Sequence, residues 1–256
     1  MDYIIKKCYT TFGINKYYNN NYLGATMNMI MNDEEKSYFN RQIQLWGEET
    51  QESLKTKKIA IIGSGGLGCS LAIALGSSGI GQIDLVDFDT VGVHNIHRQI
   101  GFRVGDEGKP KCEVLRDLVK SRNPFIEVNA LDMDFDTFSH SDEDYDLILD
   151  GTDNLPTRAK INAFSKNKNI PWIYASVESF HGQVCFFEKS NFEAVFNITD
   201  HKPAGIAAPI VIQIASFQAN IALRFLAGLK IKKDLLNYFF FNEEGEFTHQ
   251  KFALPH

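Results

Sequence analysis

Read as hydrophobic and polar positions, the chain changes character near residue 31. Residues 1–30 have neither a helical nor a strand period and are rich in Asn and Tyr, among them Asn15, Tyr17, Tyr18, Asn19, Asn20, Asn21 and Tyr22. Such a stretch buries too little apolar surface to offset the ordering of its backbone. It reads as an N-terminal extension, disordered or laid on a surface, outside a working domain that spans 31–256. Met27, Met29 and Met31 stand as alternative starts. From Asp33 the pattern becomes helical: Asp33-Glu34-Glu35-Lys36 precedes Tyr38, Phe39, Ile43, Leu45 and Trp46 on one stripe, and Gln51–Thr56 reads as a second short helix.

An α/β rhythm follows. Ile59–Ile62 is a wholly apolar run that stops at glycines, as a buried strand does. Leu67, Leu71, Ala74 and Leu75 recur at helical spacing and Gly79 closes that helix. Strands are predicted at Gln82–Val86, Ile126–Leu131, Tyr145–Leu149, Trp172–Val177 and Gln183–Phe187. Helices are predicted at Lys111–Lys120, Leu155–Lys168 and Ile210–Leu229. Glu188–Pro209 reads as a surface loop, and Tyr238–Phe241 with Phe247–Phe252 as a closing strand pair. Strands alternating with helices give a mostly parallel sheet covered on both faces. The expected fold is therefore α/β, a doubly wound Rossmann-like sheet with a C-terminal antiparallel extension.

Composition narrows the function. Acidic side chains outnumber basic ones by 32 to 26, and the net charge of -6 lacks the basic excess of a general nucleic-acid binder. No unbroken apolar run reaches the roughly 20 residues that span a bilayer, and no apolar h-region follows Lys6 and Lys7. Cys8, Cys69, Cys112 and Cys185 form no C-x-x-C pair, so neither a structural zinc site nor a disulfide framework is expected, and a reducing, cytoplasmic setting is.

The chemistry lies in one set of loops. Gly63-Ser64-Gly65-Gly66-Leu67-Gly68 fits G-x-G-x-x-G between a strand and a helix, where backbone N–H groups can meet a phosphate. Asp87 ends the next strand, where a carboxylate can hold a ribose hydroxyl. These features indicate a nucleotide without separating a dinucleotide from ATP. Downstream come Asp89, Asn95, Arg98, Gln99, Lys111 and then Asp150-Gly151-Thr152-Asp153-Asn154, all after the carboxyl ends of predicted strands. Cations with hard oxygen ligands suit phosphoryl or nucleotidyl chemistry with magnesium rather than hydride transfer. His94 and His97 read as polar loop residues. Cys69, Cys112 and Cys185 lie in apolar patterns and read as core, not as nucleophiles.

Tyr38-Phe39-Asn40-Arg41-Gln42-Ile43, the glycine loop, Asp87-Phe88-Asp89, Asn95-Ile96-His97-Arg98-Gln99, Gly108-Lys109-Pro110-Lys111 and Gly151-Thr152-Asp153-Asn154 occur in the order seen in the ThiF/MoeB/HesA family, which the chain resembles from about Tyr38 to Phe252. The family is related to the adenylation domains of ubiquitin-activating enzymes. The resemblance implies ATP and Mg2+, and adenylation of the C-terminal Gly-Gly carboxylate of a small ubiquitin-like sulfur-carrier protein, with release of pyrophosphate, for thiamine or molybdopterin synthesis. It also implies roles. The backbone of Gly63, Gly65, Gly66 and Gly68 faces the nucleotide, and Asp87 holds its ribose. Asn95, Arg98 and Lys111 contact phosphates, and Asp153 positions magnesium. Arg41 reaches the site of the other subunit of a homodimer. Asp89, Gln99 and Asn154 complete the nucleotide-facing set. Arg98, Lys111 and Asp153 also admit plainer readings, as surface cations and a helix cap. The Tyr38–Trp46 stretch further resembles the smaller, noncatalytic half of SUMO-activating enzymes, which lacks most phosphate-handling residues. Two C-x-x-C pairs found in many members are missing near Glu193–Phe196 and at Leu254-Pro255-His256, and His201 stands where sulfur-handling members often carry a cysteine. No zinc is expected, and the firm expectation is carboxylate activation. Adenylation of a different peptide or tRNA-linked carboxylate, or nucleotide binding without catalysis, are the alternatives.

Overall fold

The computed structural model describes residues 30–199 and 205–255, so the expectations for residues 1–29, His201 and His256 lie outside the described residues. The helical stretch after Asn32 is three helices rather than two, the entry helix being split: α1 (Asp33–Tyr38), α2 (Asn40–Trp46) and α3 (Glu48–Leu54). Asn32 and Glu35 form a capping box that starts α1, and the backbone leaves the helical region at Phe39 and again at Gly47, whose φ is 88°. Buried Gln51 binds the group together. Its Oε1 accepts from Gln42 Nε2 and Trp46 Nε1, and its Nε2 donates to the Ser78 carbonyl. Tyr38 stacks edge-on against Phe125 and donates to the Arg122 carbonyl. Ser78 and Phe125 lie in the connections that lead into strands, so these helices sit at the amino-terminal edge of the sheet.

The remaining elements are β1 (Lys58–Ile62), α4 (Gly66–Gly76), β2 (Gln82–Val86), α5 (Lys111–Arg122), β3 (Glu127–Leu131), α6 (Phe135–Phe138), β4 (Leu147–Asp150), α7 (Leu155–Lys168), β5 (Trp172–Glu178), β6 (His181–Phe187), α8 (Phe192–Val195), α9 (Ala208–Leu226), β7 (Leu235–Phe241) and β8 (Phe247–Ala253). The eight strands run in the order β3-β2-β1-β4-β5-β6-β7-β8. The first five are mutually parallel and the last three pair antiparallel, as expected from the sequence. The short helices α6 and α8 fall where no helix is predicted. Phe135, Phe138 and Phe192 drive them, because each buries its ring against the sheet.

The period of two sorts the strands between two cores. Ile59, Ile61, Leu85, Leu147, Leu149 and Ile173 face one way, against Leu71, Leu75, Leu115 and Ile214. Ala60, Ile62, Val86, Ile148 and Trp172 face the other way, against Phe138, Ile161 and Phe164. Both faces are dry, which is why β1 shows no polar alternation. Among the described residues α9 alone is long and apolar enough to cross a membrane by length and composition, but its Ile210, Ile214, Ala215 and Ala222 are buried in the first core.

The region expected to lack cysteine pairs is held by other means. Asp234 sits at φ 53° before β7, and its carboxylate accepts from the backbone N–H groups of Glu188, Lys189 and Ser190 at 2.9–3.1 Å. Its carbonyl accepts from Leu254 N, and Ser190 Oγ donates to the Pro255 carbonyl. Phe192 and Phe187 pack on Trp172 alongside. Three segments far apart in sequence thus meet around Asp234, one on its carboxylate and one on its carbonyl, beside an aromatic cluster. Removing that carboxylate orphans buried N–H groups. Asp234→Ala is expected to lose about 2–4 kcal/mol in urea unfolding, whereas EDTA leaves the wild-type melting temperature unchanged.

Candidate functional site

In the order β2-β1-β4 the chain turns left after β1 and right at β4, so the carboxyl ends of β1 and β4 open a crevice at a topological switch point. Sequence dictates how closely the backbones meet there. Gly151 N donates to the Ile62 carbonyl at 2.7 Å, and Gly63 N to the Val86 carbonyl at 2.8 Å. A Cβ on Gly63, whose φ is 93°, would lie 2.8 Å from the Gly151 oxygen; one on Gly68 would lie 1.9 Å from the Gly63 oxygen. Both are impossible without moving backbone, so α4 is drawn onto the strand end only because glycine is there. Gly65 is different. A Cβ there would meet no atom closer than Gln99 Nε2 at 3.6 Å, an ordinary contact distance, so packing does not demand glycine at this position.

Asp87 braces the loop. One carboxylate oxygen accepts from Ser64 N and the other from Asp89 N at 2.7 Å. Burial raises its pKa above the usual 3.8 of a carboxyl, against the pull of those two N–H groups. Lys111, 7% exposed, reaches the same loop from the first turn of α5. Its N–H donates to the Asp89 carbonyl and its Nζ pairs with the Asp89 carboxylate at 2.8 Å. Lys111 is thus not a surface cation. Arg98 is half-buried, and its guanidinium donates to the His94 carbonyl at 3.2 Å and lies 3.0 Å from His97 Nε2. Asn95 is buried in the turn before it, accepting from Gly92 N. Ser64 Oγ, in the glycine loop, and Gln99 Oε1, on the side chain that lies against Gly65, are buried without a hydrogen-bond partner. Orphaned polar atoms in that position are the kind a polar ligand satisfies.

From β4, Asp153 presents an exposed carboxylate. It is not the helix cap; Asn154 is, its Oδ1 accepting from Thr157 N at 2.9 Å. The side-chain oxygen of Asn154 therefore serves α7 already. Among the described residues no cluster of three or more His, Cys, Asp or Glu side chains could hold a metal ion. A single carboxylate with phosphate oxygens and water suits magnesium, which keeps much of its hydration. Arg41 stands apart from this constellation. It lies on α2 at the opposite edge of the sheet and donates to Gln44 of its own helix. The three described cysteines are fully buried, and burial raises their thiol pKa values, to about 12 for Cys69 and about 11 for Cys112.

Sequence reasoning passed over Arg158 and Gln218. Arg158 Nε donates to Asp150 at 2.9 Å and one terminal nitrogen to the Thr152 and Ala175 carbonyls; Gln218 Nε2 donates to the Asp150 and Ile173 carbonyls from the other face. One signal was readable. Arg158 follows the cap Asn154 by one helical turn, which aims it back at the strand end.

The fold and this crevice define a nucleotide-binding α/β protein. The chain belongs to the ThiF family, whose profile matches residues 39–256. It is 35% identical over 212 residues to the molybdopterin-synthase adenylyltransferase of Escherichia coli, covering 77% of this chain and 85% of that one. It is 31% identical over 222 residues to the sulfur carrier protein ThiS adenylyltransferase of the same organism, covering 82% and 88%. Among solved structures, PaaA superposes with a TM-score of 0.76 at 23% identity over 89% of this chain and 86% of that chain. E. coli MccB with ATP does so with 0.75 at 22% over 90% and 75%. At that identity both likenesses concern the fold.

Asp87→Asn places an amide NH2 against one of two backbone N–H groups. It is expected to weaken ATP binding about 10- to 100-fold, or roughly 1.4–2.8 kcal/mol, in calorimetric titration. Protonation of Asp87 has the same effect. Wild-type affinity should therefore fall as pH is lowered, beginning above the ordinary carboxyl range because burial raises this pKa.

Proposed function

We propose that this chain is an ATP-dependent adenylyltransferase that activates the C-terminal Gly-Gly carboxylate of a small ubiquitin-like sulfur-carrier protein, for thiamine or molybdopterin synthesis. The observation that carries the reading is Lys111, buried and held by Asp89 in the loop after β2, whose Asp87 carboxylate takes the glycine loop's Ser64 N–H. The adenylyltransferases to which the chain is similar over most of its length support the same chemistry.

The residues divide the work as follows. The loop Gly63–Gly68 offers backbone N–H groups to phosphate, and Asp87 keeps that loop in place while lone pairs remain on its oxygens for a ribose hydroxyl. Arg98, Lys111 and Asn95 face the phosphates, with Asp89 holding Lys111. Asp153 would hold magnesium, which supplies charge at the α-phosphate. The attacking group is a peptide carboxylate of pKa about 3.5, ionised at neutral pH, so no general base is needed. Its oxygen bonds to the α-phosphorus, the bond to the bridging oxygen breaks and pyrophosphate leaves. The obstacle is the approach of one anion to another, and fixed cations lower it.

A groove of about 410 Å³ over the β5–β6 hairpin, lined by Ser176, Val177, Glu178, His181, Gln183 and Tyr238, begins beside Arg158. Its mixed polar and apolar lining is where we place the carrier's extended tail. Arg41, remote from the crevice of its own chain, fits a role in the site of a second copy, and we place it there in a homodimer.

The test is ATP–pyrophosphate exchange against a panel of Gly-Gly-terminated carrier proteins. Exchange should require the carrier, and Lys111→Ala or Arg98→Ala should slow it roughly 100- to 1,000-fold. Exchange supported instead by a short peptide without a carrier fold would move the substrate to another carboxylate, and no exchange with any partner would overturn the reading. The dimer has its own test. Mixing inactive Arg41→Ala and Lys111→Ala chains should restore roughly a quarter of wild-type activity, since half the dimers then hold one intact composite site.

A further inference from the structure

We infer that Arg158 is a positioning residue: it anchors the loop that carries Asp153, and so sets the carboxylate that receives magnesium. The inference rests on the adenylation reading for the metal's role, but the anchoring stands on geometry alone.

The side chain of Arg158 is 5% exposed and that of its partner Asp150 is fully buried. A buried ion pair is a poor way to stabilise a core, since apolar residues of similar volume do as well or better. The contacts of this guanidinium go well beyond neutralising Asp150. After the bond from Nε to Asp150, its remaining donors reach the Thr152 carbonyl at 2.7 Å, the Ala175 carbonyl at 3.0 Å and Ser176 Oγ at 3.3 Å. Its carbon lies 5.1 Å from the centroid of the Tyr174 ring. One planar group therefore spans the end of β4, the loop after it, the body of β5 and the first residue of the groove.

The loop is fixed at each residue around Asp153. Thr152 donates its N–H and its hydroxyl to Asp150 at 2.9 and 2.6 Å and gives its carbonyl to Arg158. Asn154 is held as the cap of α7. Gln218 pins the Asp150 carbonyl from the opposite face of the sheet. Asp153 thus extends an exposed carboxylate from between two residues that are each held by hydrogen bonds. A lysine at 158 would keep a charge for Asp150, but its single nitrogen cannot bridge Asp150, Thr152 and Ala175 as a planar fork does.

The experiment pairs hydrogen exchange with calorimetry on the full chain and on Arg158→Lys. In the wild type the Thr152 amide should exchange as slowly as that of Leu149 in β4. A Thr152 amide that exchanges at unprotected-loop rates would overturn the inference without any variant. In Arg158→Lys the Thr152 amide should exchange about tenfold faster or more, while those of Ser64 and Leu149 hold. ATP binding without Mg2+ should stay within about threefold of wild type, and the gain from added Mg2+ should shrink about 10- to 100-fold, the usual effect of losing a ligand's support. An unchanged Mg2+ gain, or equal loss of ATP affinity with and without Mg2+, would mean Arg158 is only structural. Wild-type protein that binds no ATP at all would instead overturn the adenylation reading, and the exchange data would still decide the anchoring.

Discussion

Every part of the crevice depends on the close approach of backbones at Gly63, Gly68 and Gly151. With Cβ atoms absent, the end of β1, the first turn of α4 and the loop after β4 come within hydrogen-bond range of one another. That contact points the α4 amides outward at the switch point and sets the loops of β2 and β4 on either side of a single opening. Any side chain there would part them, and the phosphate-binding geometry would go with it. The loop is then locked from below by Asp87, whose carboxylate takes the Ser64 N–H of that loop and the Asp89 N–H of its own.

Charge is arranged so that cations are already in place before a ligand arrives. Lys111 is held by Asp89 and Arg98 by its own turn, so neither must give up much side-chain freedom on binding. Preorganised charge acts strongly because it costs no reorganisation at the moment of reaction. On the β4 side the same principle operates one layer deeper. The Asp150–Arg158 pair and Gln218 fix the strand end from which the loop with the exposed Asp153 carboxylate departs. The described cysteines take no part, since burial keeps their thiols protonated in the core.

Much of this was legible in the sequence. The strand ending at a glycine loop, Asp87 after the next strand and Lys111 at a helix start each reported their place through local chemistry. The long helix and the mostly parallel sheet with its antiparallel extension followed from pattern and from the rule that parallel strands need crossovers. Other features were not legible. The three-helix break after Asn32 turns on single residues with unusual backbone angles, Phe39 and Gly47. Helices α6 and α8 owe their existence to phenylalanine rings that find the sheet, a tertiary effect that overrides weak local propensity. Asn154 rather than Asp153 caps α7, a choice between neighbours that propensity cannot make.

The sequence by itself determined the groups available for chemistry: a glycine loop between strand and helix, Arg98 and Lys111, the Asp153 carboxylate and cysteines in apolar patterns. These follow from residue type and from spacing along one strand or one helical turn. Only the tertiary structure decided that Arg158 from α7 and Gln218 from α9 meet on Asp150, that Asp234 gathers three distant segments, and that Arg41 lies across the sheet from the crevice of its own chain. Those contacts join residues that are distant in sequence or lie on different elements, and no local period encodes them. They exist because two cores must close on one sheet, and closure brings particular polar groups together where each must find a partner or pay the cost of burial.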